Sequence, residues 1–145
     1  MHKTQARWTT KMALLAGAGK ACLNAPDGTP MGGYWGRKSG CTGVADDLHA
    51  SCLALKEEGP LQILHVFIFS LDLIGISSRT SAELAAVVSD ATGIPPGPAL
   101  SVFVSCTHTH TGPQTHSSFI GMSHASDEEY MVPILRVGTA RTHGL

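Results

Sequence analysis

Charge is scarce in this chain. Ten basic and eleven acidic residues make up 14% of the 145 positions and leave a formal net charge of -1, so there is no electrostatic footprint for nucleic acid or an anionic membrane, and neither is expected as a partner. Long hydrophobic runs are also lacking. The longest, Ile63 to Ile76, is interrupted by His65, Ser70 and Asp72 and falls short of the roughly 20 residues that span a bilayer. It reads as a core strand, and no transmembrane segment is expected. There is no CxxC pair among Cys22, Cys41, Cys52 and Cys106, and a domain of this size needs no staples, so all four read as free thiols. No phosphate loop is present either. Gly17-Ala18-Gly19-Lys20 has Leu14 where a glycine is required and Ala21 where Ser or Thr should follow, which excludes that mode of nucleotide binding.

What the chain does have is apolar content. A hydrophobic fraction of 43% indicates a folded globular domain, and the length suits one domain with a core. The N-terminus is basic, but the apolar part that follows, Met12 to Ala18, is at the short end of the roughly 7 to 15 residues of a secretory signal. A cytoplasmic location is expected, with secretion left open.

The order of elements points to an α/β fold. Between Leu14 and Tyr34 the composition predicts a short strand, a turn at Ala25 to Pro30, and a glycine-rich loop. Gly32, Gly33 and Gly36 around Tyr34 and Trp35 either let backbone approach a ligand or form a plain aromatic-anchored loop. Leu48 to Leu55 and Leu61 to Leu71 read as an antiparallel hairpin joined by a charged five-residue turn, Lys56 to Pro60. The continuous Val66-Phe67-Ile68-Phe69 predicts burial on both faces. From Ser77 to Thr92 the period becomes helical, through Leu84, Val87, Val88 and Ala91, with Thr80 and Glu83 as a capping box. Gly93 stops the helix and Pro95 and Pro96 prevent its resumption. Leu100 to Cys106 is strand again. The expected result is a mixed sheet containing at least one right-handed βαβ unit, whose two strands are parallel. Further on, Asp127 to Leu135 begins like a capped helix and meets Pro133.

The chemistry concentrates in Leu100 to Pro113, LSVFVSCTHTHTGP. If the strand continued, Cys106, His108 and His110 would share one face, with the two imidazoles about 7 Å apart along the chain. Two imidazoles so placed can converge on one cation, and zinc suits that donor. Cys106 is a third ligand, a nucleophile or a small buried hydrophobe. Asp72 ends the preceding parallel strand and should lie on the same sheet edge, where open α/β sheets place their sites. There it either orients a histidine or holds a loop. His116 and His124 read as solvated loop residues, and His65 as a satisfied core or edge histidine. A catalytic zinc usually takes three protein ligands plus water, and the pair supplies two.

With these residues in view, the chain resembles the N-terminal domain of the neutral/alkaline non-lysosomal ceramidase family. The resemblance runs from about Ala16 to about Tyr130. It is carried by Gly19-Lys20, Pro26 to Tyr34, Thr42-Gly43-Val44, Ser70 to Leu73, and above all Ser105 to Pro113, which is similar to the family's THTHSGP block. It implies a zinc-dependent hydrolase of linear amides of the N-acyl-sphingosine amidohydrolase type, with a lipid amide as substrate and a metal-activated water as nucleophile. His108 and His110 are then the metal-ligand candidates, Asp72, Thr107 and Gly112 the supporting residues, and Gly33 and Tyr34 part of a substrate loop. Residues 16–135 would form the ceramidase-like α/β domain within a larger fold, 1–15 a flexible arm and 136–145 a tail.

Two features depart from the family. Where a zinc-ligand histidine usually follows the Gly-Val motif, this chain has Ala45. His49 lies four residues on, about 13 Å along a strand, too far for a simple ligand shift. The family's remaining ligands lie downstream of its THTHSGP block, in sequence these 145 residues do not include. A missing C-terminal domain is therefore expected. The alternative to an amidase is a non-catalytic fragment or pseudoenzyme of the same fold that binds metal or a partner.

Overall fold

The structure is a computed structural model and describes residues 13–34, 36, 37 and 39–115. The expectations for residues 1–12, the tail, His116, His124, Trp35 and the Asp127 to Leu135 segment lie outside the described residues.

Four strands and one helix appear in the order β1 (Ala13–Cys22), β2 (His49–Glu58), β3 (Ile63–Leu71), α1 (Ser78–Thr92) and β4 (Leu100–Cys106). The strands form one sheet in the order β1-β2-β3-β4. β1, β2 and β3 pair antiparallel, and β3 pairs parallel with β4 across α1. This is the mixed α/β sheet expected, with β3-α1-β4 as its βαβ unit.

The β2–β3 hairpin is longer than its composition suggests. Lys56, Glu57 and Glu58 belong to β2, and Glu58 stands opposite Ile63, so only Gly59 to Gln62 form the loop, closed by the Gly59 N–H donating to the Gln62 carbonyl at 3.0 Å. The charged residues tolerate this because a strand end at the sheet margin keeps their head groups in water while Lys56 pairs with Glu58 at 2.7 Å. The helix start also differs. Its N-cap is Ser77, whose hydroxyl accepts from the Thr80 N–H at 3.1 Å. Thr80 is therefore inside the first turn, and Glu83 bonds Arg79 at 2.9 Å rather than closing a box. At the other end Gly93 takes the left-handed conformation, φ 70°, as the stop signal requires.

The core lies between one face of the sheet and α1. Phe67, Phe69 and Leu71 of β3, Ala50 and Ala54 of β2, and Leu84 and Val88 of α1 are buried there with Leu23 and Leu73. Burial of β3 on both faces does not hold. Phe67 and Phe69 are 5% and 3% exposed, but Ile68 between them is 39% exposed. Side chains alternate across a strand, and α1 covers only one face. Leu53, Ile68 and Phe103 stand in register on the other face and remain open to solvent. All four cysteines are free thiols, as expected. No helix among the described residues is long and apolar enough to cross a membrane.

Candidate metal site at the sheet edge

Because β3 and β4 are parallel, their C-terminal ends lie side by side. Leu71 is in register with Cys106, and the chain beyond stays tied to the loop after β3: Thr107 N–H donates to the Leu71 carbonyl at 2.9 Å and His108 N–H to the Leu73 carbonyl at 3.0 Å. The strand nevertheless ends at Cys106. His108 has φ 62°, the one non-glycine residue with positive φ among those described. Strand alternation therefore does not carry through to His110, and the shared face expected for Cys106, His108 and His110 is not how the histidines meet. They meet across a left-handed turn, with ring centroids 5.0 Å apart and planes at 67°. A histidine held in this conformation is conformationally costly, which is characteristic of functional turns.

Each imidazole has a distinct support. His108 is exposed, and its Nδ1 lies 2.8 Å from the Ile74 carbonyl oxygen. A carbonyl only accepts, so Nδ1–H donates to it, and Nε2 is the ring nitrogen that Ile74 does not engage. His110 is partly buried against the glycine-rich loop. The Tyr34 ring meets it edge-on at 5.3 Å. A side chain at Gly33, where φ is 98°, would come within 2.6 Å of the His110 ring. Arg37 closes the loop: its guanidinium lies 5.0 Å over the Tyr34 ring, and Nη1 donates to the carbonyls of Gly32 and His110 at 3.4 Å each. Gly33 and Tyr34 thus stand beside the histidine pair.

The turn after His110 is anchored on both sides. Gly32 N–H donates to the Gly112 carbonyl at 3.1 Å, Gln114 N–H donates to the Pro30 carbonyl at 2.8 Å, and Met31 bridges Pro113. Gly112 packs closely on the Asp72 backbone, where a Cβ would lie 3.1 Å from the Asp72 carbonyl oxygen. Thr109 and Thr111 bond each other through their hydroxyls at 2.9 Å. Thr107 is exposed. Gln114 and Thr115, which read as polar loop in the sequence, are buried, and the Thr115 hydroxyl donates to the Gly75 carbonyl. Their anchoring role carried no signal in the sequence beyond following Gly-Pro.

Asp72 is engaged with His49 at the start of β2. Its Oδ2 accepts from the His49 N–H at 2.9 Å and lies 3.9 Å from His49 Nδ1, so it holds the start of β2, and the Ile74 carbonyl orients His108. Cys106 is half-buried on the core side, and burial pushes its thiol pKa up. That disfavours the thiolate a nucleophile or ligand would need. His65 is far from the pair, at the start of the β3–β4 register opposite Leu100. It is not a satisfied core histidine: its Nδ1 is buried without a hydrogen-bond partner.

The donor set fits zinc in kind but not in number. Imidazoles oriented by a backbone carbonyl are typical zinc ligands. Yet among the described residues no three His, Cys, Asp or Glu side chains converge to hold a metal ion. Ala45 is exposed, and it lines a cavity of about 280 Å³ together with Arg37, Asp46, Thr111 and Pro113.

The fold and this edge define an α/β domain that presents a histidine pair beyond its parallel strands. Among solved structures, the chain is similar to the neutral ceramidase from Pseudomonas aeruginosa, with a TM-score of 0.66 and 20% identity over 88% of this chain. It is similar also to a ceramidase complexed with C2, with a TM-score of 0.53 and 22% identity over 72% of this chain. The chain therefore has the fold of a segment of these ceramidases. It spans 20% of the first and 16% of the second. No protein-family profile matches the sequence, and no curated protein matches it either.

Proposed function

We propose that this chain is the N-terminal part of a ceramidase-like, zinc-dependent amidohydrolase acting on lipid amides, and that His108 and His110 are two of its metal ligands. The observation that carries this is the His108 turn: a strained left-handed histidine whose Nδ1 is fixed by Ile74, leaving Nε2 free beside a second imidazole. The ceramidase fold of the surrounding sheet supports the amidase class.

Zinc bound here would supply a Lewis acid and an acidified water for attack on an amide carbonyl. The chain's own contribution is positional. Ile74 sets the His108 tautomer, Gly33 and Arg37 hold His110, and the cavity lined by Ala45 and Thr111 offers room for a substrate group. The third ligand lies outside the described residues.

A second function, from a different class, is a non-catalytic metal- or partner-binding domain of the same fold. Ala45 in the ligand position and the lack of a converging third ligand among the described residues favour it. The two are separated by incubating the chain with zinc and a short-chain ceramide analogue. Metal-dependent release of the acyl group, lost in His108→Ala and His110→Ala, supports the amidase. Bound zinc without hydrolysis supports the second reading.

A further inference from the structure

We propose that the sheet face left uncovered by α1 is the interface of a homodimer, in which a second copy of this chain packs on it with its strands reversed. The proposal concerns this chain by itself and is argued independently of the metal site.

The register makes this face apolar. Residues directly opposite one another on neighbouring strands share a face. Ala18, Leu53, Ile68 and Phe103 form one such row, and the next holds Ala16, Leu55, Val66 and Ser101. Leu53, Ile68 and Phe103 are 41%, 39% and 59% exposed, because α1 packs on the opposite face. A contiguous exposed apolar patch of this kind marks an interaction surface.

Charge specifies the occupant. The rows that flank these two carry one charged side chain each, Lys20 opposite Ser51 at one end and Glu57 opposite Leu14 at the other. Lys20 lines one depression with Leu53 and Ile68. Among the described residues neither Lys20 nor Glu57 takes part in an ion pair. An apolar face with an unpaired positive charge at one end and an unpaired negative charge at the other is complementary to itself turned end for end. A twofold interface brings the same patch of two copies together.

An axis crossing the strands at the level of Ala54 reverses the strands of one copy against the other. It places Lys20 of each copy over Leu14 of the other, one strand away from that copy's Glu57. With packed sheets about 10 Å apart and strands about 4.8 Å apart, the two long side chains can meet. The same axis sets Phe103 over Ser101 of the other copy, large on small, and Leu53 over Leu55. An axis along the strands would instead bring the two Glu57 carboxylates to one level, so charge selects the reversed packing.

The test is sedimentation equilibrium of the 145-residue chain between about 5 and 500 µM, a range that covers weak specific association. The mass should rise from 15.2 kDa toward twice that value and level off there. Phe103→Asp should hold the chain at the monomer mass with an unchanged circular dichroism spectrum, since the position is exposed. Lys20→Glu and Glu57→Lys should each weaken the dimer about tenfold or more. An equimolar mixture of these two variants should regain wild-type association, because each reversed charge then meets its opposite on the other copy. A chain that stays monomeric at about 500 µM overturns the proposal and assigns the face to another occupant. Association that survives Phe103→Asp, grows beyond the dimer or is not regained in the mixture overturns it as well.

Discussion

His108 Nδ1 lies 2.8 Å from the carbonyl oxygen of Ile74, and the backbone of His108 has φ 62°. The two facts belong together. The left-handed turn carries the ring back over the loop that follows β3, where the Ile74 carbonyl fixes its tautomer, and an L-residue in that conformation costs about 1–2 kcal/mol.

This cost can be measured. His108→Gly relieves the backbone while removing the ring, and His108→Ala removes the ring alone. Denaturant unfolding should find the glycine variant more stable than the alanine variant by about 1 kcal/mol. Equal stability would mean that the turn is not held in the left-handed region in solution.

Gly33 has the opposite sensitivity. A methyl there meets the His110 ring at 2.6 Å on a backbone with φ 98°. Gly33→Ala should therefore cost about 1–3 kcal/mol and shift the His110 ring resonances more than those of His65.

The half-buried thiols of Cys52 and Cys106 give a pH dependence. Burial raises both pKa values, and for Cys52 a backbone hydrogen bond from Ile68 offsets this in part. A raised folded-state pKa means that stability is fully present below the ordinary thiol value and declines above it, because the unfolded chain ionises first. The unfolding midpoint should fall from about pH 8.5 upward. A Cys52→Ala, Cys106→Ala double variant should fall less steeply over the same range.

Ala45 offers a gain-of-function test. It shares a cavity with Thr111, next to His110. If the histidine pair is part of a metal site that lacks this ligand, Ala45→His should tighten zinc binding by about tenfold or more, read by competition with a chromophoric chelator. Unchanged affinity would mean that the position does not reach the metal.

Much of the scaffold was legible in the sequence because local signals agreed with the tertiary arrangement. The helical period through Leu84 and Val88, the stop at Gly93 and the apolar run from Leu100 define β3-α1-β4, and that unit brings the ends of β3 and β4 together. Boundaries set by tertiary context were less clear. Glu57 and Glu58 extend β2 because β3 pairs with them, and Ser77 displaces Thr80 as the cap because the helix begins earlier. The histidine pair could be picked out by type and spacing, yet the turn joining it could not, since nothing local marks a histidine for positive φ. The Ile74 carbonyl that orients His108 and the Arg37 contacts that hold His110 span 34 and 73 residues. Such partners depend on the folded backbone rather than on any motif.

The central claim is that His108 and His110 together bind a metal ion. It is tested most directly by titrating the metal-free chain with zinc and measuring the bound ratio for the wild type and for the His108→Ala, His110→Ala double variant. One equivalent should bind to the wild type and none to the double variant, with the folded spectrum unchanged. Zinc binding retained by the double variant, or absent from the wild type at micromolar metal, would contradict it.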